Sequence, residues 1–325
     1  MNARLLTSAA VAALFCGVLP ASAADPQMLN LVMPDAKVVA GVNVQQAIAT
    51  PFGQYVLSLI APQDQQIQSL ATLTGLDPRK DVIELLVAST GAPAHSGLAL
   101  ARGTFDTAKI LAAATAAGAV TETYGGVTLL EPKPPAAGTA TAAAPTPALA
   151  FLDSTLAVMG DVTNVKAAID RRGAASVLPA ALVTQVNQWS LTEDAWVVDI
   201  APLSSLAPPA GAPKLPGGAQ GVAVQSVQQA AGGVKFGTTV AVTAQAQTDT
   251  AQNATALAGL LQFVTNLAQA QSTQNPASAA LLKSLTVTAQ GNMLNIVLSL
   301  PEDQIQQLVQ PRGATQTQRR TVRKM

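Results

Sequence analysis

Residues 81–118 read "DVIELLVASTGAPAHSGLALARGTFDTAKILAAATAAG", and this stretch decides the fold class. "DVIELLVAST" and "SGLALARGTF" are strand-like runs joined by Gly91, Pro93 and Gly97, the pattern of a hairpin with an irregular loop. "DTAKILAAATAAG" then offers Asp106 as a helix N-cap and Gly118 as the residue that closes the helix. A hairpin feeding a capped helix points to an α+β protein.

Working outward, "KVVAGVNV" from Lys37 alternates apolar and polar positions as a strand does, whereas "TPFGQYVLSLI" and "DQQIQSLATLT" carry apolar residues at helical spacing. "VTETYGGVTLLEP" reads as a further strand pair. The resulting order is βαββαβ, which predicts a ferredoxin-like α/β sandwich: an antiparallel sheet with helices on one face. This first unit is assigned to residues 25–131.

The stretch "PKPPAAGTATAAAPTP", residues 132–147, holds Pro, Ala, Gly and Thr with one charge, so it predicts a loop or linker. Beyond it, "ALAFLDSTLAVMGD" reads as a hairpin, "VTNVKAAIDRR" and "LPAALVTQVNQW" as helices, and "DAWVVDIAPL" as a strand. A soft insert at 207–221 precedes "VAVQSVQQA" and "GVKFGTTVAVTAQAQT", with Gly232-Gly233 predicted to turn a hairpin between them. The run Thr248–Gln271 is helical in composition. Thr255, Gln262, Thr265 and Asn266 break it well short of the roughly 18 consecutive apolar residues of a membrane span. Next come a hairpin turning at Gly291-Asn292 and a helix opening at Pro301 with Glu302 and Asp303 beside it. The second unit is thus 148–309, and its strand-into-acid-capped-helix ending parallels "SGLALARGTFDTAKILAAA", which predicts a duplicated architecture.

The amino-terminal "MNARLLTSAAVAALFCGVLPASAAD" has a positive start at Arg4, a short apolar run and the small-residue pattern Ala21-Ser22-Ala23. This is the form of a secretory signal peptide over residues 1–24, cut near Ala23 or Ala24. Phe15 directly before Cys16 argues against lipidation of that cysteine, because a lipobox places a small residue there. Removing the leader removes the only cysteine, and with it thiol catalysis, disulfides and typical zinc sites. Aromatic residues are only 3% of the chain, so stacking platforms for sugars or bases are few.

Charge is divided along the chain. Residues 25–309 carry 12 Lys or Arg against 18 Asp or Glu, whereas 310–325 carries Arg312, Arg319, Arg320, Arg323 and Lys324 and no acid. That tail lacks any apolar face and is predicted to be disordered, with its five cations available to an anionic surface at about 1 kcal/mol each near a charged bilayer. The acidic body argues against nucleic acid as a partner.

The motifs "TGLDPRKDVIEL", "GLALARGTFDTAKI", "ETYGGVTLL", "ALAFLDSTLAVMGDVTNVKAAIDRR" and "EDAWVV" together resemble a group of exported bacterial proteins to which no activity is assigned. The resemblance spans roughly residues 35 to 200. It implies export and an α+β fold, and it transfers no catalytic residue.

Candidates for chemistry are sparse. His95 is the only histidine, and on an extended chain it points away from the adjacent Ser96 it would need to activate. In "TGLDPRKDV", Asp77 and Asp81 could form an acid pair, but Gly75, Asp77-Pro78 and Asp81 each fit helix-closing and turn roles. Glu193-Asp194, Glu302-Asp303, Asp153 and Asp161 are carboxylates that could supply a hydrolase dyad, although few aromatics are present to line a cleft around them. Trp189 and Trp196, seven apart around an acidic pair, are candidates for a ligand patch or for the core. No cofactor is implied. The sequence supports an exported, periplasmic or secreted, non-catalytic binding or structural module of the cell envelope. Its partner would be an envelope protein or an anionic surface, and no transmembrane span would remain after leader cleavage. The alternative is a carboxylate-dependent periplasmic hydrolase.

Overall fold

The computed structural model describes residues 24–59, 64–91, 97–133, 146–202, 225–271 and 281–309. One antiparallel sheet organises all of them. Its strands are β1 (Val38–Asn43), β2 (Val82–Ser89), β3 (Gly97–Gly103), β4 (Val120–Tyr124), β5 (Val127–Glu131), β6 (Pro147–Phe151), β7 (Leu156–Asp161), β8 (Ala195–Asp199), β9 (Val227–Lys235), β10 (Thr239–Thr248), β11 (Leu285–Gln290) and β12 (Met293–Pro301). In space they run β11-β12-β10-β9-β8-β1-β2-β3-β7-β6-β5-β4.

The helices are α1 (Pro26–Leu31), α2 (Val44–Ile48), α3 (Pro51–Leu59), α4 (Asp64–Thr74), α5 (Pro78–Asp81), α6 (Thr107–Ala116), α7 (Val162–Asp170), α8 (Ala180–Thr192), α9 (Ala251–Gln271) and α10 (Glu302–Val309). Local chemistry places their ends, at Asp106 and Gly75 as the sequence predicts. Asp106 accepts from the Lys109 N–H at 3.1 Å to cap α6, and Asp161 accepts from the Thr163 N–H at 2.8 Å to cap α7. Gly75, with φ of 76°, follows α4 in the left-handed conformation that closes a helix.

The α+β class with a large antiparallel sheet is as predicted, and two features refine it. A ferredoxin-like unit sets the strand that follows its first helix parallel to β1, with a third strand between them. Here β2 lies antiparallel and directly beside β1, because the helices between them return the chain to the edge it left. Helices also cover both faces rather than one. The register separates the faces. Val39, Leu86, Leu98, Val158 and Ala150 point to one of them and form the main core beneath α1, α7 and α8, whose Met28, Val165 and Leu182 are fully buried. Ala101, Ala157 and Phe151 point the other way, against Ile110 of α6. Leu294, Val287 and Ala246 share that second face under Leu257 and Ala258 of α9.

One further difference has a local cause, and the loop or linker expected at 132–147 lies mostly outside the described residues. Gly232-Gly233 is not a turn: both residues lie within β9, and the chain reverses after Lys235. The glycines are there for space, since a Cβ on Gly233 would run into the Glu193 side chain. Across residues 132–147, β5 and β6 pair with each other, so the sheet is continuous from one side of that segment to the other. No helix among the described residues is long and apolar enough to cross a membrane.

Candidate functional site

The charged turn at 77–81 holds itself together. The Asp77 carboxylate caps α5, accepting from the Arg79 N–H at 3.1 Å and from Arg79 Nε at 2.9 Å, and the guanidinium holds its pKa below the ordinary value. Asp81 Oδ2 accepts from the Asp77 N–H at 2.7 Å. Both carboxylates bind the turn that bears them, which is the role turn chemistry predicts.

The other acidic candidates lie at separate points of the sheet. Asp153 binds the Thr155 N–H in the β6–β7 turn, and Asp161 caps α7 at the opposite end of β7. Glu302 and Asp303 occupy the first turn of α10, with Gln306 donating to Glu302. Asp194 is 1% exposed; it accepts from Lys235 Nζ at 2.7 Å and from the Phe236 N–H at 2.7 Å, which fixes the start of β8 to the end of β9. Glu193 lies over Gly233, where burial raises its pKa against the pull of Lys235, and its Oε2 has no hydrogen-bond partner among the described residues. Among the described residues no three His, Cys, Asp or Glu side chains are grouped to hold a metal ion.

The two tryptophans do not form a ligand patch. Both are buried in the main core. Trp189 Nε1 donates to Gln185 Oε1 at 3.2 Å within α8, and the Trp196 ring covers Gly41, where a Cβ would come within 2.5 Å of it. Large rings beside a sheet of Ala, Gly and Val fill volume that small side chains leave open. His95, Ser96 and the five cations Arg312, Arg319, Arg320, Arg323 and Lys324 lie outside the described residues.

What the structure does bring together is surface. Across the centre of the second face, Met159, Ala99, Val87, Ala40, Val197 and Gly232 stand directly opposite one another on β7, β3, β2, β1, β8 and β9. The row is apolar throughout. It is also bare: Met159 is 53% exposed, Val87 50% and Val197 43%. Leu85, one step along β2 on the same face, is exposed as well. The band lies open between α6, packed over the ends of β3, β7 and β6, and α9, packed over β11 and β12.

The first face is bare too, at β10, β12 and β11, and there the chemistry is opposite. Gln245, Asn295 and Thr288 oppose one another in one row, and Gln247, Met293 and Gln290 in the next. Where this polar face meets α8, Gln185, Asp199, Gln229, Gln247 and Met293 line a shallow depression. Three of its amides are engaged, Gln229 with Gln247 and Gln185 with Trp189, and Gln245 lines it as well.

A signal for the apolar band was present in the sequence. "LLVA" and "AWVV" are continuous apolar runs, and so is "VVAGV", the centre of the strand read above as alternating; such runs mark strands covered on both faces, whereas "LTVTAQ" and "TAQAQT" alternate as strands wetted on one face. Comparison with known proteins adds little. No protein-family profile and no curated protein matches the chain. Among solved structures, "Structure of crystal form I of TP0453" is similar, with a TM-score of 0.48 and 10% identity, covering 88% of this chain and 96% of that one.

Proposed function

We propose that the protein is an exported, non-catalytic binding or structural module of the bacterial cell envelope, and that the apolar band is the surface by which it holds a partner. The observation that carries this reading is the mismatch between the pattern of the central strands and their cover. Their residues are apolar on both faces, yet α1, α7 and α8 cover only one. An exposed apolar patch on a protein that elsewhere lines its bare sheet mostly with Gln, Asn and Thr marks a contact surface. The leader sequence supports export, and the basic tail supplies a second, salt-sensitive contact with an anionic envelope surface.

The test is chemical crosslinking in native envelope, comparing the unaltered protein with one carrying Val87→Lys, Met159→Lys and Val197→Lys. The expected outcome is a discrete crosslinked partner that the triple variant loses while its circular dichroism stays unchanged. A partner retained in full by a folded triple variant removes the band from the account.

A further inference from the structure

The chain is pinned at the residue directly after the Ala21-Ser22-Ala23 motif. Chain ends fray unless something ties them down. Ala24 is 2% exposed and belongs to the main core, with its N–H donating to Ser190 Oγ of α8 at 3.0 Å. The next residue is held just as closely. The Asp25 N–H donates to Glu84 Oε1 of β2 at 3.4 Å, Asp25 Oδ1 caps α1 through the Gln27 N–H at 2.7 Å, and Asp25 Oδ2 accepts from Arg102 Nε of β3 at 2.6 Å. Arg102 is held in turn by Gln27 Oε1 at 2.7 Å and Thr155 Oγ1 at 3.0 Å. Behind this network Met28, Leu29, Leu31 and Val32 enter the core.

Within this seat Glu84 is out of balance. The charged groups facing it are Asp25, which opposes its ionisation, and Arg102, which favours it but is engaged by Asp25. The register partner of Glu84 on β1 is the uncharged Asn43. Burial dominates and pushes its pKa up to about 7. A half-buried carboxyl of this kind is stabilised by a cation, and the nitrogen of Ala24 precedes by one residue the Asp25 amide that already reaches it.

We propose that cleavage between Ala23 and Ala24 places the new α-ammonium in this seat, donating to Ser190 Oγ and pairing with Glu84, so that leader removal completes the fold. Hydrolysis of the Ala23–Ala24 peptide bond adds one water, leaving a carboxylate on the departing leader and an ammonium on Ala24. That ammonium has three donors where the amide had one. The inference rests on the export reading.

Two measurements test it. The first is the intact mass of the exported protein, expected to correspond to a chain starting at Ala24. The second compares pH profiles of thermal stability for three purified chains: one starting at Ala24, one with Gly-Ser added ahead of Ala24, and the extended chain carrying Glu84→Gln. In the extended chain, Glu84 ionises near 4.5 when unfolded and near 7 when folded, so stability falls as pH rises between those values. The expected drop in Tm is on the order of 5 °C across that window. The extended Glu84→Gln chain loses that drop, and the Ala24 chain does not show it because the ammonium keeps Glu84 ionised. Superimposable profiles for the Ala24 and extended chains overturn the seat and leave export untouched. An exported protein that starts elsewhere overturns the cut, and a retained leader overturns the export reading as well.

Discussion

Two stretches of one sheet are left uncovered, and their side chains are opposite in kind. Over β10, β12 and β11 the bare face carries mostly Thr, Gln and Asn, with Met293 and Val297 among them; over β7, β3, β2, β1 and β8 it carries Val, Ala, Leu and Met. Strand geometry imposes neither choice, because successive residues alternate between faces whatever their type. The polar stretch is what water selects. The apolar stretch has no cover among the described residues, and on the proposed function a partner supplies it.

Four substitutions or truncations probe the difference between the two faces. The largest effect lies on a single strand. Leu86 is fully buried and Val87, next to it, faces the band, so Leu86→Ala is expected to cost about 2–5 kcal/mol and Val87→Ala less than about 1 kcal/mol in urea unfolding of the isolated protein. Equal losses would mean that a part of this chain already covers the band. Adjacent glycines of β9 give the second contrast. Gly233→Ala collides with Glu193 and is expected to cost about 1–3 kcal/mol. Gly232→Ala points to the other face, where the nearest atom would be the Thr243 carbonyl oxygen at 3.1 Å, and should cost less.

A smaller effect is expected on the polar face. Replacing Thr243, Gln245 and Thr288 together by Val should change stability by no more than about 0.5 kcal/mol per site, yet sedimentation should show the variant associating with itself, because it now has two apolar faces. Unchanged sedimentation would weaken the link between bare apolar surface and contact. The smallest effect concerns the tail. A chain ending at Gln310 should keep its unfolding midpoint and lose only the part of envelope binding that 0.5 M salt also removes, since exposed charges are screened at that ionic strength.

Much of the fold was legible because local chemistry controls it. The β2–β3 pair, the Asp106 cap of α6, the turn at Gly125-Gly126 with positive φ at both residues, and the hairpin at Gly291 all follow from residue types at fixed offsets. What failed required knowledge of neighbours distant in sequence. Gly232-Gly233 has the composition of a turn, but its reason is a side chain some 40 residues earlier, Glu193. The tryptophans could not be assigned to core or surface until α8 and Gly41 were in place around them. The seat of Ala24 joins Ser190, Glu84 and Arg102 from three separate elements, and no spacing in the sequence connects them. The apolar band was half legible: its strands announced cover on both faces, and only the sheet order revealed which face lacked it.

The central claim is that the band touches another molecule and the polar face does not. The most direct measurement is a photoactivatable amino acid placed at Val87 or, separately, at Gln245, with both chains exported and irradiated in living cells. Contact through the band predicts a discrete adduct of higher mass from position 87 and none from position 245. Equal adducts from both positions, or a product at position 87 with the mass of the chain alone, would contradict it.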